Sequence, residues 1–460
     1  MSETSSPHLK RELNLLHATA LNVANMLGAG PFISIPVLLA TMGGPQSMIG
    51  WPIAMLIVMC DGLIWAELGA ALPGSGGTYH YMREIFKGSA WGRFLPFLFI
   101  WQFLISGTLE LGTGYIAASQ FALSLWPQSK ETLAGWGLSE IVGIGIPASL
   151  LVVAIFLVSC QRIGSLGRLM LFLVAGVLAA VGTVIILGAF HFDASLIHLP
   201  DGAFAPDRKL WIGMGAATSI AVYDYLGYYN ICHMGEEVHA PSKTIPRSVL
   251  LSILIVASIY VSMNLAFMGV VPWQEILDKN SMANQNIAGA FMTKLCGERA
   301  ATLFTGLIIW TCLAGSFAMT LGYSRILYAA AKNGDFFEFF ARLHPTRGYP
   351  WAALVLITAL TAFFCFFKLD EVIAAAVVVR IIIQFIGQIF ALHVLRKSGA
   401  PMPFRMWLYP LPSIIALVGW ILLLSTTPFN LLGLVALVYG SGLVIFVVRT
   451  WWSPPTNTAT

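Results

Sequence analysis

Apolar runs of bilayer-spanning length recur through this chain, and that recurrence is its strongest constraint. They occupy 17–41, 46–72, 94–124, 139–160, 165–190, 210–233, 247–271, 299–331, 350–367, 371–395, 407–426 and 429–450. A helix needs about 20 mostly apolar residues to cross a bilayer. Lipid offers the backbone no hydrogen-bond partners, so a spanning segment must satisfy its own polar groups. Runs of this length therefore predict an all-α polytopic membrane protein with twelve spans. The charge content agrees: 10% of 460 residues are charged and 58% are apolar, against about 25% charged in an ordinary soluble protein. That balance excludes a soluble enzyme, a disordered chain, a secreted disulfide scaffold and a nucleic-acid binder.

The connections are short except 191–209 and 272–298. Within the second, Met282 to Leu295 reads as an amphipathic helix lying on the outer face. No cleavable signal peptide is expected, because the first sixteen residues are polar and the run after them is too long and too rich in glycine. With the N-terminus placed in the cytoplasm, seventeen Lys and Arg fall on that side and seven on the other, with Arg380 inside a run. This asymmetry predicts that both termini are cytoplasmic. The six cysteines show no CxxC pair and no metal-ligand spacing, and read as small buried hydrophobes.

Two runs carry residues that break helices. The first reads Asn25-Met26-Leu27-Gly28-Ala29-Gly30-Pro31-Phe32. Proline removes an amide donor and clashes with the preceding turn, and glycine weakens a helix interior. The sixth reads Ser219-Ile220-Ala221-Val222-Tyr223-Asp224-Tyr225-Leu226-Gly227. An aspartate at mid-span costs about 2.5–3.5 kcal/mol on insertion scales, so Asp224 should face protein or water. Breaks in runs one and six match a five-plus-five inverted repeat that holds a ligand between two discontinuous helices. The half-helix beyond Gly28 would offer free amides and a positive dipole end to a carboxylate. The alternative is that Gly28 and Gly30 only permit close helix packing.

Four segments carry a resemblance over almost the whole chain. GAGPFISIP (28–36), WAELGAALPGSGGTYHYM (65–82), YDYLGYYNICHMGEEVHAPSKTIPRS (223–248) and SRILYAAAKNGDFFEFFARLHPTRGYP (324–350) resemble the motifs of the amino acid–polyamine–organocation transporter superfamily. The Tyr223-Asp224 pair is most similar to its L-type amino-acid transporter branch. The resemblance implies a LeuT-like fold in a single transporter domain. A tail over 1–16 precedes five-helix repeats over 17–190 and 210–395, which are followed by two helices over 407–450 and a tail over 451–460. It further implies that amides of Gly28, Ala29 and Gly30 bind a substrate carboxylate. Carbonyls of Met26 and of Ala221, Val222 and Tyr223 would take the amino group. A four-helix bundle would rock against a scaffold.

Four departures stand out. Pro31 replaces an aliphatic residue and removes one amide, and Ala221 stands where L-type members carry an aromatic gate, so either a neighbouring ring such as Tyr223 or Tyr225 takes that role or the pocket is wider. The fifth run has no lysine over 169–190 where many relatives place one. The loop 125–138 has no cysteine, so no disulfide-linked ancillary subunit is expected there.

The ionisable groups inside the runs carry two readings each. Asp224 meets a cationic substrate end or carries a proton, or else it caps the second half-helix. Arg380 needs a carboxylate partner because an unpaired buried charge is costly; Asp61 and Glu110 are the candidates. That pair is either a fixed tie or the seat of a coupling proton. Glu67, with Glu236 and Glu237, forms an inner-gate network with Arg83, Arg247 and Arg325, or a solvated loop face. Ser316 is either a cation-ligand hydroxyl, as in sodium-coupled relatives, or bonded to its own backbone. Tryptophans near the run ends, such as Trp126, Trp211 and Trp407, read as interfacial anchors.

No nucleophile, zinc-protease or phosphate-binding motif is present; Gly74-Ser75-Gly76-Gly77 lacks the lysine of a phosphate cradle. The expectation is not an enzyme and needs no metal or cofactor. It is a permease of the cytoplasmic membrane that moves amino acids by alternating access, with protons favoured as the coupling ion over exchange, and sodium less favoured still. A polyamine or cationic amino-acid carrier is the alternative, since Asp61, Glu110 and Asp224 could line a negative pocket. A sensor would need a signalling module and a channel a continuous polar stripe on several helices; neither is visible.

Overall fold

The computed structural model describes residues 13–452 apart from 29, 75, 90, 127, 129–131, 133–134, 136, 138 and 161–162, and gives backbone alone over 163–174 and at 452. The described residues form helices and their connections, with one isolated parallel bridge between Leu13 and Val238. Seven helices are long and apolar enough to cross a membrane, or eight if the bent first pair counts as one span.

That pair is α1 (Leu15–Met26) and α2 (Gly30–Met42), whose axes bend by 48°. Then follow α3 (Gly50–Ala71), a short α4 (Thr78–Ile85), α5 (Trp91–Ser124), α6 (Glu140–Ser159) and α7 (Ile163–Phe190). The second half holds α8 (Arg208–Tyr225), α9 (Pro241–Met268), α10 (Ile287–Cys296), α11 (Glu298–Lys332) and α12 (Trp351–Phe364). It continues with α13 (Leu369–Arg380), a π-helical turn (Ile381–Ile386), α14 (Gly387–Lys397), α15 (Leu411–Ser425) and α16 (Phe429–Trp452). Each of the twelve apolar runs contains helix, although α8, α12 and α15 hold only 18, 14 and 15 residues.

Burial sorts the helices. α5 is enclosed along most of its length, packed on α11 and α13, whereas α6 and α16 are mostly exposed, as lipid-facing helices would be. α1 packs on α9, α2 on α8, and α3 on both α8 and α9. The two broken runs thus share neighbours. Of the six free cysteines, five are buried and Cys296 is exposed.

Two expectations need correction. The sixth run is helical through Ala221, Val222, Tyr223 and Asp224; its helix stops at Tyr225, and the chain turns at Leu226–Gly227 into short 3₁₀ turns over 230–233 and 235–237. Gly227 takes φ +115°, a left-handed conformation that favours glycine, so the break falls on the glycine rather than on the aspartate. The segment Met282–Leu295 is two helices, 282–285 and α10, divided at Asn286, whose side chain accepts from the Gly289 amide at 2.8 Å. Ile287 to Met292 are buried, so α10 packs inward.

Candidate substrate site

The two breaks meet. A Cβ on Gly227 would lie 3.4 Å from the carbonyl carbon and the Cβ of Asn25 and 3.4 Å from Met26. Asn22, buried in α1, donates to the Tyr228 carbonyl at 2.7 Å and accepts from the Ile231 amide at 2.9 Å. The Tyr260 hydroxyl of α9 donates to the Met26 carbonyl at 2.5 Å and lies 3.1 Å from the Asp224 carbonyl. Trp51 stacks on Tyr260 with ring centroids 4.9 Å apart, and Tyr225 meets Trp51 edge-on at 5.8 Å. One tyrosine therefore ties together the last turns of α1 and α8.

A helix leaves its first amides without intrahelical partners. In α2 the first of these belong to Gly30 and Phe32, since Pro31 has none; Ala29 lies outside the described residues. Against this end sits Asp224. Its Oδ1 would be 2.5 Å from a Cβ on Gly30. Among the described residues neither carboxyl oxygen has a hydrogen-bond partner, although the side chain is buried. Ser34 faces it, but its hydroxyl falls outside hydrogen-bond geometry. Asp224 therefore does not cap a second half-helix. The Met26 carbonyl is already occupied by Tyr260, and those of Ala221 to Tyr223 lie within α8.

On the opposite side, Gly28 faces Gly315 of α11, with the Cα of Gly28 3.2 Å from a Cβ placed on Gly315. Gly114 of α5 faces the Ser316 hydroxyl more closely still. Ser316 is buried and its hydroxyl is unpartnered, so it is not bonded to its own backbone. Tyr223 points toward α5, its hydroxyl 2.5 Å from that of Thr113. Tyr225 packs the other way, beneath Trp51 and Tyr260.

The remaining charges find partners. Arg380 pairs with Glu110 at 2.5 Å and donates to the Tyr229 hydroxyl at 3.1 Å, while Tyr323 donates to the same carboxylate oxygen. Asp61 instead accepts from the Tyr228 hydroxyl at 2.5 Å and from the Trp420 indole at 3.1 Å. Glu67 is fully buried and takes both guanidinium arms of Arg396 at 2.7 Å, plus the Met406 amide at 2.9 Å. Its partner is thus none of Arg83, Arg247 and Arg325; Arg83 lies 3.5 Å from Asp335. The sequence reading missed Thr113, Tyr229, Tyr260 and Tyr323. Each is a single hydroxyl in an apolar run, with no spacing to mark it.

A family model described as amino acid permease matches residues 13–452. The chain belongs to that family. As an amino acid permease it is a transporter with several membrane-spanning helices, and not an enzyme. The permease is 27% identical over 438 residues to the serine/threonine exchanger SteT of Bacillus subtilis, covering 92% of each chain. It is 26% identical to the human large neutral amino acids transporter small subunit 2, covering 96% of this permease and 81% of that protein. The human cystine/glutamate transporter is 25% identical over 78% of this permease and 68% of its own length.

Proposed function

We propose that this permease is a secondary active carrier of small neutral amino acids that works by alternating access. The reading adopts a LeuT-like fold of twelve spans in the cell membrane, with two inverted five-helix repeats and both termini cytoplasmic. The observation that carries it is the meeting of two helix ends, that of α1–α2 and that of α8, at a buried carboxylate with no hydrogen-bond partner among the described residues. A free amino acid brings both missing charges. Its carboxylate suits the amides of Gly28, Ala29 and Gly30 and the positive end of α2. With the Met26 carbonyl occupied, Asp224 becomes the favoured acceptor for the ammonium, beside Ala221, Val222 and Tyr223.

The narrow approach of Gly28 to Gly315, and the hydroxyls of Thr113, Ser316 and Tyr223, favour a small side chain. The name of the B. subtilis relative, a serine/threonine exchanger, points the same way. A polyamine site loses its support, because Asp61 and Glu110 are committed to Trp420, Tyr228 and Arg380. No disulfide-linked subunit is proposed.

Proton coupling remains favoured, with Asp224 as the carrier, since an ionised carboxylate buried without a partner is costly. Exchange is the second reading, favoured by the partnered state of Asp61 and Glu110. Proteoliposomes loaded with serine should take up labelled serine and threonine by counterflow, with leucine, glutamate, lysine and putrescine competing weakly. Absence of counterflow would reject the carrier. A transport rate flat from about pH 5 to pH 8, with no acidification on substrate addition, would reject proton coupling in favour of exchange.

A further inference from the structure

Below the Glu110–Arg380 pair runs a line of buried polar side chains that the proposed site does not use. Arg380, Gln384 and Gln388 lie on α13, the π-turn and α14, all at most 2% exposed. Gln102, Ser106 and Glu110 recur every fourth residue on α5, which packs on α13 and the π-turn, while α14 packs on α3 and α4. Arg380 reaches Glu110; Gln384 faces the Tyr229 hydroxyl; Gln388 accepts from Thr78 of α4 at 2.5 Å; Ser106 donates to Gln102 at 3.1 Å. The π-turn between Arg380 and Gln388 is wider than an α-turn, so it offsets the forward drift of residues spaced by four. Such turns recur at functional positions. His233 completes the line, its ring 5.9 Å from that of Tyr229 and its Nδ1 against Gly77.

Five buried atoms along this line have no hydrogen-bond partner among the described residues: Arg380 Nε, Gln384 Oε1, Gln388 Nε2, Gln102 Nε2 and His233 Nδ1. Turning the Gln102 or Gln388 amide over would only exchange which end is left unpaired. Orphaned polar groups in a dry interior are costly. A line that runs from the centre of the bundle to α4 and leaves this many unpaired is not built to stay dry.

We infer that this seam, between α13 and α5 at one end and α14 and α4 at the other, fills with water in another state of the transport cycle, and is the cytoplasmic approach to the Glu110–Arg380 pair and the site above it. The Thr78–Gln388 contact closes it in the conformation described here. The sidedness rests on the carrier reading above; the hydration does not.

The test is thiol accessibility. Gln384→Cys and Gln388→Cys are introduced singly and labelled in inside-out vesicles with a charged, membrane-impermeant methanethiosulfonate, each site read by peptide mass spectrometry so that native cysteines do not interfere. Controls are Ile382→Cys and Phe390→Cys, on the exposed side of the same helix. The seam sites should label at least about tenfold faster than the controls, because a state populated at a few per cent suffices. Thr78→Val should speed Gln384→Cys labelling further. Seam rates no faster than the controls would overturn the proposal, and an unchanged rate in Thr78→Val would overturn the closure.

If the cysteine variants do not fold, radiolytic hydroxyl-radical labelling of the wild-type protein in nanodiscs decides. Tyr229 and His233 should be modified well above Phe267 and Phe291, which pack on each other in the apolar core. Modification at or below that level would overturn it. Neither measurement needs transport, so labelled seam sites in a protein without counterflow would uphold the water path and reject only the carrier reading.

Discussion

Glu110 and Asp224 are both carboxylates buried in the middle of the helical bundle, at 6% and 2% exposure, yet they sit in opposite company. Glu110 is gripped by the Arg380 guanidinium and by the Tyr323 hydroxyl, and the Arg in turn holds Tyr229. Asp224 faces the first turn of α2, and neither of its oxygens has a hydrogen-bond partner among the described residues. The first arrangement spends its charge inside the protein, tying α5 to α11, α13 and the segment after α8. The second leaves a charge over. That one buried carboxylate is paired so completely while the other has no partner among the described residues is the contrast on which the proposed substrate site rests.

The largest effect should come from breaking the paired side. Removing one partner of a buried ion pair strands the other charge and costs about 3–5 kcal/mol. Arg380→Gln should therefore lower the melting temperature of the detergent-purified permease sharply, and the double variant Glu110→Gln/Arg380→Gln should recover most of the loss. The same amide substitution at Asp224 should not lower the melting temperature at all, while abolishing the substrate-induced thermal shift. Equal destabilisation at the two sites would erase the distinction drawn between them.

The next effect tests how closely Asp224 is held to the break. A methyl on Gly30 would sit 2.5 Å from its Oδ1, and overpacking of this kind costs about 1–3 kcal/mol. Gly30→Ala should destabilise by that amount. Gly30→Ala/Asp224→Gly should destabilise less than the two single changes sum to, because the clash is gone. Additive losses in the thermal melts would mean that the carboxyl swings away and is not fixed at the α2 terminus.

How much of this was readable beforehand follows from what each residue does locally. The helices were legible because lipid forces apolar runs into helix, and the Gly-rich first break because glycine and proline act on their own backbone. Arg380 announced its need for a partner, but the choice of Glu110 over Asp61 depends on how α5 and α13 pack, which no local pattern encodes. Glu67 pointed to a charge network, yet its partner Arg396 lies 329 positions away. The sixth break was expected somewhere in Ser219–Gly227, with the aspartate standing out as the disruption. The backbone instead turns where a left-handed residue was available, at Gly227. Tyr260 gave no warning, because a tyrosine in a long apolar run looks the same whether it anchors two helix ends or simply packs.

That tyrosine supplies a smaller test of the same contrast. Tyr260→Phe keeps the stack on Trp51 but leaves the Met26 carbonyl without its 2.5 Å donor. An unsatisfied buried carbonyl costs about 1–3 kcal/mol. The variant should lose that much stability. Substrate affinity should also change, since a carbonyl at the break becomes free for the ammonium. A loss of stability with unchanged affinity would show that Tyr260 braces the two ends without bearing on the site between them.

The smallest effect belongs to a group outside the apolar runs whose charge burial also opposes. Burial holds His80 of α4 below the ordinary histidine range; Glu84 and Glu236 pull it up and Arg83 pushes it further down. In the unfolded chain this ring takes a proton near pH 6.5, whereas in the folded protein it does so only at lower pH. The unfolded state therefore gains protons first as pH falls, and stability contributed by this site is intact above about pH 6.5 and lost below it. His80→Gln should flatten that dependence. The melting temperature of the wild type should drop between pH 8 and pH 5.5 by about 1 °C more than that of the variant. His80 is only half-buried, near enough to the surface for relaxation and solvent to blunt its burial, which keeps the effect small. An equal drop in both proteins would assign the acid sensitivity to groups other than His80.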